Sequence, residues 1–253
     1  MTKLINLYGL DRAQLESLFV GRGLQAFRGR QLMKWVYHQG MTDFSAMTDL
    51  PKSMRQWLQD NTCFELPKVD AFKVSKDGTS KWVLDVGQGN FVEAVVIPDK
   101  GRNTLCVSSQ MGCMLDCSFC STGKQGFSGN LAAATIVGQM VLANNLLVER
   151  GERVTNVVLM GMGEPLLNFD AVVSATNIMM EDLAFGLSKR RVTVSTAGVV
   201  PAIYELAKVT DVALAISLHA PTDGLRDQLV PINRKYPIEQ LLAACRHYVD
   251  HLG

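Results

Sequence analysis

Apolar residues recur at spacings of three and four through DRAQLESLF (11–19), FRGRQLMKWVYHQ (27–39) and LPKSMRQWLQDN (50–61), with a break at Gly40. That period predicts a small helical domain over residues 1–62. From Leu66 to Pro98 the period drops to two, because FKVSKDGTSKWVLDV and FVEAVVIP are β-branched and aromatic runs separated by Asp-Gly and GQGN turns. A short antiparallel β segment over 63–98 is expected, either standing alone or extending the domain that follows. Beyond Pro98 the rhythm becomes strand, loop, helix, repeated four times. Strands NTLCVSSQ, TNVVLMG, RVTVSTAG and VALAISLHA alternate with helices LAAATIVGQMVLANNLLVER, FDAVVSATNIMMEDL, VPAIYELAKV and IEQLLAACRHYVDHL. Nearly unbroken apolar strands of this kind belong to a parallel sheet buried on both faces. The fold class is α/β, with a parallel sheet or partial (βα) barrel over 99–253. Four units are too few to close a barrel, so either the sheet is open or the chain is a fragment.

Composition changes this picture little. The chain has 253 residues, 47% apolar and 19% charged, a balance that excludes disorder. Its formal net charge of +1 names no partner, so any nucleic-acid surface is a local patch. Arg22, Arg28, Arg30 and Lys34 around a Gly-rich turn, and the run Lys189, Arg190 and Arg191, are the patches to test; a solvated face explains the first equally well. The longest weakly polar stretch, Leu131 to Val148, is interrupted by Gln139, Asn144 and Asn145 and reads as a buried helix, not a membrane span. The N-terminus lacks the apolar run and cleavage site of a secretion signal, so a cytoplasmic location is expected.

In α/β folds chemistry gathers at the C-terminal ends of the parallel strands. Here those positions hold SSQMGCMLDCSFC, GMGEP, Ser195 with Thr196, and Ser217 with His219. Of six cysteines, Cys63 and Cys245 stand alone while Cys106, Cys113, Cys117 and Cys120 fall within fifteen residues. Clustering in a reducing compartment points to metal binding or catalysis. Cys113, Cys117 and Cys120 form C-x3-C-x2-C with no fourth Cys or His nearby to complete a zinc tetrahedron. Three thiolates on a [4Fe-4S] cluster leave one iron open to a small ligand.

The run MGCMLDCSFCSTGKQGF together with GMGEPLLN resembles the radical S-adenosylmethionine enzymes, and within them the RlmN family of adenosine C2 methyltransferases, over essentially the whole chain. The resemblance implies a partial radical SAM barrel preceded by a helical N-terminal domain and a short β segment. It implies a [4Fe-4S] cluster on Cys113, Cys117 and Cys120, with S-adenosylmethionine contacted by Gly163, Glu164, Ser195, Ser217, Leu218 and His219. It implies RNA substrates, 23S rRNA and tRNA, reached by unstacking the adenine. A monomer served by an external electron donor such as flavodoxin is expected. Carbon 2 of adenine is not acidic, which excludes ordinary base-assisted methylation; in this family a methylated cysteine and two cofactor molecules per methyl group are involved. Cys106 matches the resolving cysteine, which forms a disulfide as product leaves, and Glu93 matches the acid/base carboxylate. On residue pattern alone Cys106 is either a strand-end thiol beside the cysteine motif, able to act as a nucleophile if accessible, or a buried strand cysteine, and Glu93 is either the outer face of a hairpin or a carboxylate whose apolar strand raises its pKa.

The family's methyl-carrying cysteine has no match here. Cys245 lies inside a helix pattern, and a chain truncated in mid-barrel at Gly253, unable to finish methyl transfer, is expected. A C8-adenosine methyltransferase shares the cluster, Glu and Cys roles and stays open as an alternative, as does a non-catalytic iron-sulfur protein; a zinc module is a third reading.

Overall fold

The computed structural model describes residues 4–252; residues 1–3 and Gly253, at the outer ends of the expected domains, lie outside them. The helical domain starts with β1 (Ile5–Asn6), continues through α1 (Arg12–Val20), α2 (Phe27–His38) and α3 (Lys52–Asn61), and closes with β2 (Thr62–Cys63). Asp11 starts α1 with a reciprocal cap. Its carboxylate accepts from Gln14 N at 2.9 Å, and Gln14 Oε1 accepts from Asp11 N at 3.0 Å. Each helix then buries one stripe, with Phe19, Leu32, Met33 and Leu58 wholly buried. β1 pairs in parallel with β2, Ile5 opposite Thr62, which clasps the two ends of the domain together.

β3 (Lys68–Val74), β4 (Ser80–Asp85) and β5 (Phe91–Asp99) form an antiparallel meander, and β5 turns tightly into β6 (Arg102–Cys106). The turn residues Lys100 and Gly101 have φ of 45° and 81°, the left-handed pair that matches the twist of a two-residue hairpin. A small hairpin of β7 (Gln110–Gly112) and β8 (Phe127–Asn130) follows, with the one-turn α4 (Ser121–Lys124) between its strands. The repeating units are then α5 (Ala133–Val148), β9 (Asn156–Leu159), α6 (Phe169–Met180), β10 (Val192–Thr196), α7 (Val200–Val209), β11 (Ala213–Ile216), α8 (Asp223–Leu229) and α9 (Ile238–Leu252).

Seven strands make one sheet in the order β11-β10-β9-β6-β5-β4-β3, parallel from β11 to β6 and antiparallel beyond. The 63–98 segment thus extends the parallel sheet, the second of the two arrangements its pattern allows. Leu105, Val157, Leu159, Val192 and Val194 share one core with Ile136, Val137, Ile178 and Ile203 of the helices. On the opposite face Val95, Cys106, Val158, Thr193 and Ala213 lie side by side across five strands, all half-buried. The polar residues that interrupt α5 hold loops in place: Asn144 Oδ1 accepts from Val154 N at 2.8 Å, and Gln139 binds both main-chain groups of Ser108 at 2.9 Å. Among the described residues no helix is long and apolar enough to cross a membrane.

Candidate active site

The loop after β6 and the loop after β9 are joined by hydrogen bonds made inside the protein. Ser109 N and Gln110 N both donate to Met162 O, at 2.9 and 3.1 Å, and Met162 N donates to Ser108 Oγ at 2.9 Å. Gln110, fully buried, accepts from Glu164 N at 2.8 Å. Gly163 has φ of 101°, and a Cβ there would stand 2.5 Å from Cβ of Gln110. The close approach that this glycine permits is therefore to Gln110, which fastens the GMGEP loop to the cysteine loop.

The cysteine loop hangs from the β7–β8 hairpin. Cys113 N donates to Gly126 O at 2.9 Å and Cys120 N to Cys117 O at 3.0 Å, which curls the chain so that three thiols face one space. That space is a cavity of 310 Å³ lined by Cys113, Cys117 and Cys120. Its walls also include Gly163 and Glu164 after β9, Ser195 at β10, and Ser217 and His219 after β11. Leu218 does not line it; Leu218 N donates to Ile216 O at 3.0 Å and Leu218 O accepts from Arg226 Nε at 3.0 Å. Ser195 Oγ and Ser217 Oγ are 3.5 Å apart. His219 has φ of 60°, an unusual conformation for a side-chain-bearing residue, and its ring lies against Phe119 with centroids 4.4 Å apart.

Glu164 is buried with its carboxylate shared between two main-chain donors, Leu166 N at 3.1 Å and Ala197 N at 2.8 Å. Burial raises its pKa, and these hydrogen bonds pull it back. Burial also pushes the Cys117 thiol up to about 11, with Cys113, Cys120 and Glu164 adding to the rise and Arg226 opposing it. Cys113 is raised for the same first reason. The three sulfurs are thus mutual electrostatic neighbours.

Glu93 and Cys106 stand outside this cavity. Glu93 lines a neighbouring one of 650 Å³ together with Lys81, Asn90, Thr122 and Gln125. Its carboxylate meets Lys81 Nζ at 2.6 Å and its side chain is 46% exposed, so it is not the desolvated group that its apolar strand neighbours suggest. Strand register relates the two residues. Cys106 pairs with Val95, and Glu93 lies two residues on, on the same face and toward the cysteine-loop end. Such diagonal neighbours lie about 7–8 Å apart, with their Cβ atoms somewhat closer. All six cysteines are free thiols, and burial raises the pKa of Cys106.

The donor set fits a cluster. Three soft thiols share one cavity, and among the described residues no three His, Cys, Asp or Glu side chains form a group set to hold a single metal ion. Three thiols from one short loop suit a [4Fe-4S] cluster, which such a set holds with one iron left open.

Residues 5–64 match the ribosomal RNA large subunit methyltransferase N-terminal domain, and residues 107–252 match the radical SAM superfamily. The dual-specificity RNA methyltransferase RlmN of Marinobacter nauticus is 55% identical over 251 residues, covering 98% of this chain and 68% of its own length. The chain belongs to the RlmN family of radical SAM methyltransferases. RlmN of Francisella tularensis subsp. holarctica is 54% identical, covering 97% of this chain and 67% of its own. A crystal structure of a radical SAM methyltransferase from Sphaerobacter thermophilus superposes with a TM-score of 0.87 at 42% identity, covering 98% of this chain and 74% of that one. RlmN membership carries with it the [4Fe-4S] cluster and S-adenosylmethionine as cofactors.

Several residues of the site are not evident from sequence patterns. Gln110, Ala197 and Arg226 hold the loops from behind, and each is an ordinary residue in an ordinary string; only the polarity of Gln110 at the end of an apolar strand hints at a role.

Proposed function

We propose that the reaction this chain serves is the addition of a methyl group to C2 of adenosine in 23S rRNA and tRNA. The observation that carries this reading is the convergence of Cys113, Cys117, Cys120 and Glu164 on one cavity at the ends of four parallel strands. When bound, a [4Fe-4S] cluster with S-adenosylmethionine supplies a low-potential electron and carbon-radical chemistry, the means to reach a ring carbon that has no acidic proton. Cys113, Cys117 and Cys120 would hold the cluster. Ser195, Ser217 and His219 present polar groups on the cavity wall to the cofactor, and Gly163 keeps the GMGEP loop close. Glu164, with both oxygens already accepting main-chain hydrogen bonds, orders that wall and offers negative charge to an ammonium group. Leu218 contributes through its main chain.

On the Glu93 side, that carboxylate moves a proton, with Lys81 as its charge partner, and Cys106 supplies the thiolate that resolves the adduct between protein and RNA. Arg22, Arg28 and Arg30 are already engaged, by the Trp57 ring at 3.6 Å, by Asp49 O at 2.8 Å and by Glu16 at 3.5 Å respectively. Lys34, Arg190 and Arg191 are therefore the better candidates for phosphate contact. We place the protein in the cytoplasm as a monomer reduced by a flavodoxin-like donor.

The test is anaerobic reconstitution followed by assay of reductive cleavage of S-adenosylmethionine to 5′-deoxyadenosine and methionine. Cleavage by the native chain, lost in Cys117→Ala, is expected. A native chain loaded with four irons that leaves the cofactor intact would overturn the reading.

A further inference from the structure

Arg226 is wholly buried, and its partners are unusual for a buried charge. Buried guanidinium groups ordinarily face carboxylates. Here Nε donates to Leu218 O at 3.0 Å, Nη2 to Ala197 O at 2.5 Å and Ser217 O at 3.4 Å, and Nη1 to Asn233 Oδ1 at 2.7 Å. All four acceptors are neutral. Asp223 and Asp227 lie one layer out, where they accept from Asn233 Nδ2 at 2.9 and 2.7 Å. Among the described residues no carboxylate reaches Arg226 within ion-pair distance; Asp223 and Asp227 offset part of its positive charge from farther off, and the charge also acts on what lies beyond.

What lies beyond is the cavity. Ala197 follows β10, Ser217 and Leu218 follow β11, and Ala197 and Ser217 line the cavity wall. Glu164 holds Ala197 by its N–H while Arg226 holds the same residue by its carbonyl. Arg226 sits on α8, and the C-terminal residue of that helix, Leu229, accepts from Ser118 N of the cysteine loop at 3.1 Å. One side chain therefore closes a path from the third strand end to the fourth and, through α8, to the loop of three thiols. A cluster held by three thiolates carries net negative charge that increases on reduction, and a fixed cation nearby favours the reduced form.

We propose that Arg226 is a positioning residue of the cofactor pocket: it locks the loops after β10 and β11 to the helix that supports the cysteine loop and fixes a positive charge beside the cluster. This rests on the cofactor reading of the same cavity. Neither the three-cysteine motif nor GMGEP includes Arg226.

The test uses anaerobically reconstituted protein carrying Arg226→Met or Arg226→Lys. Iron content, S-adenosylmethionine affinity by equilibrium dialysis, and cluster midpoint potential by redox titration with electron paramagnetic resonance are read for each. Both variants should load iron. The Met variant should bind S-adenosylmethionine about tenfold more weakly, and its reduced-to-oxidised ratio at fixed potential should fall about tenfold, a shift of ~59 mV for a one-electron couple. The Lys variant, which keeps the charge and loses the planar fork, should hold the native potential with weakened binding. A Met variant that matches native protein in affinity and potential overturns the proposal. So does loss of iron from both variants, which would make Arg226 a general strut. If the Met variant does not fold, the Lys variant decides: native affinity overturns the proposal, and weakened affinity at an unmoved potential upholds it. A native chain that takes up no cluster, or binds no S-adenosylmethionine, sinks the cofactor reading instead.

Discussion

Tyr248 illustrates how a single buried hydroxyl fixes a helix to the sheet. Its OH donates to Val212 O at 2.7 Å, just before β11 begins, and the residue is almost completely buried. Burial, helped by the negative charge of Asp211, pushes its pKa up to about 12. Because the folded value lies above the ordinary 10, the stability this group contributes is complete below pH 10 and is lost as pH rises through 12. Tyr248→Phe should therefore cost about 1–3 kcal/mol at neutral pH, and the gap between variant and native protein in urea melts should narrow toward pH 12. A gap that stays constant would remove the linkage. Nothing in IEQLLAACRHYVDHL marks this tyrosine, since an aromatic at a helical core position looks the same with or without a hydrogen bond. The three-cysteine motif is the opposite case. Its spacing is informative in one dimension because Cys113, Cys117 and Cys120 all lie in one short loop, whereas Glu164, which touches Ala197 thirty-three residues away, shows its contact only after folding.

Among the elements, the β7–β8 hairpin bears most directly on the cysteines. Gly112 has φ of 73°, and a Cβ there would lie 1.7 Å from Gly126 O, the acceptor for Cys113 N. Gly112→Ala must displace that carbonyl, with a backbone cost of about 1–3 kcal/mol before any clash is counted. The expected result is a folded protein, by circular dichroism, whose iron content after reconstitution is sharply reduced; full iron content would show that the hairpin does not position Cys113. The four βα units are legible because apolar runs of strand length alternate with helical periodicity. α8 is not, because Asp223, Gly224, Arg226, Asp227 and Gln228 give it no apolar stripe: its one wholly buried side chain is a charged one. The hairpin is missed for a related reason, since its strands are three and four residues long and carry glycines.

For the whole molecule, one continuous sheet joins the cavity lined by the cysteines to the cavity beside Glu93. The five strands from β5 to β11 keep Val95, Cys106, Val158, Thr193 and Ala213 in line, so the carboxylate and the thiol are indexed to each other by hydrogen-bond register. Side chains alternate between faces at every step, and a slip of one residue sends each to the other side. One residue inserted between Lys100 and Gly101, in the turn that sets this register, should abolish cooperative unfolding in a urea melt; a native-like transition would mean that the turn absorbs the extra residue without a slip. The consequence reaches beyond stability. Substitutions there can alter what surrounds Glu93 and Cys106 and leave the two in phase, but an insertion or deletion within β5, β6 or the turn between them moves one against the other, so this hairpin tolerates a change of residue far better than a change of length.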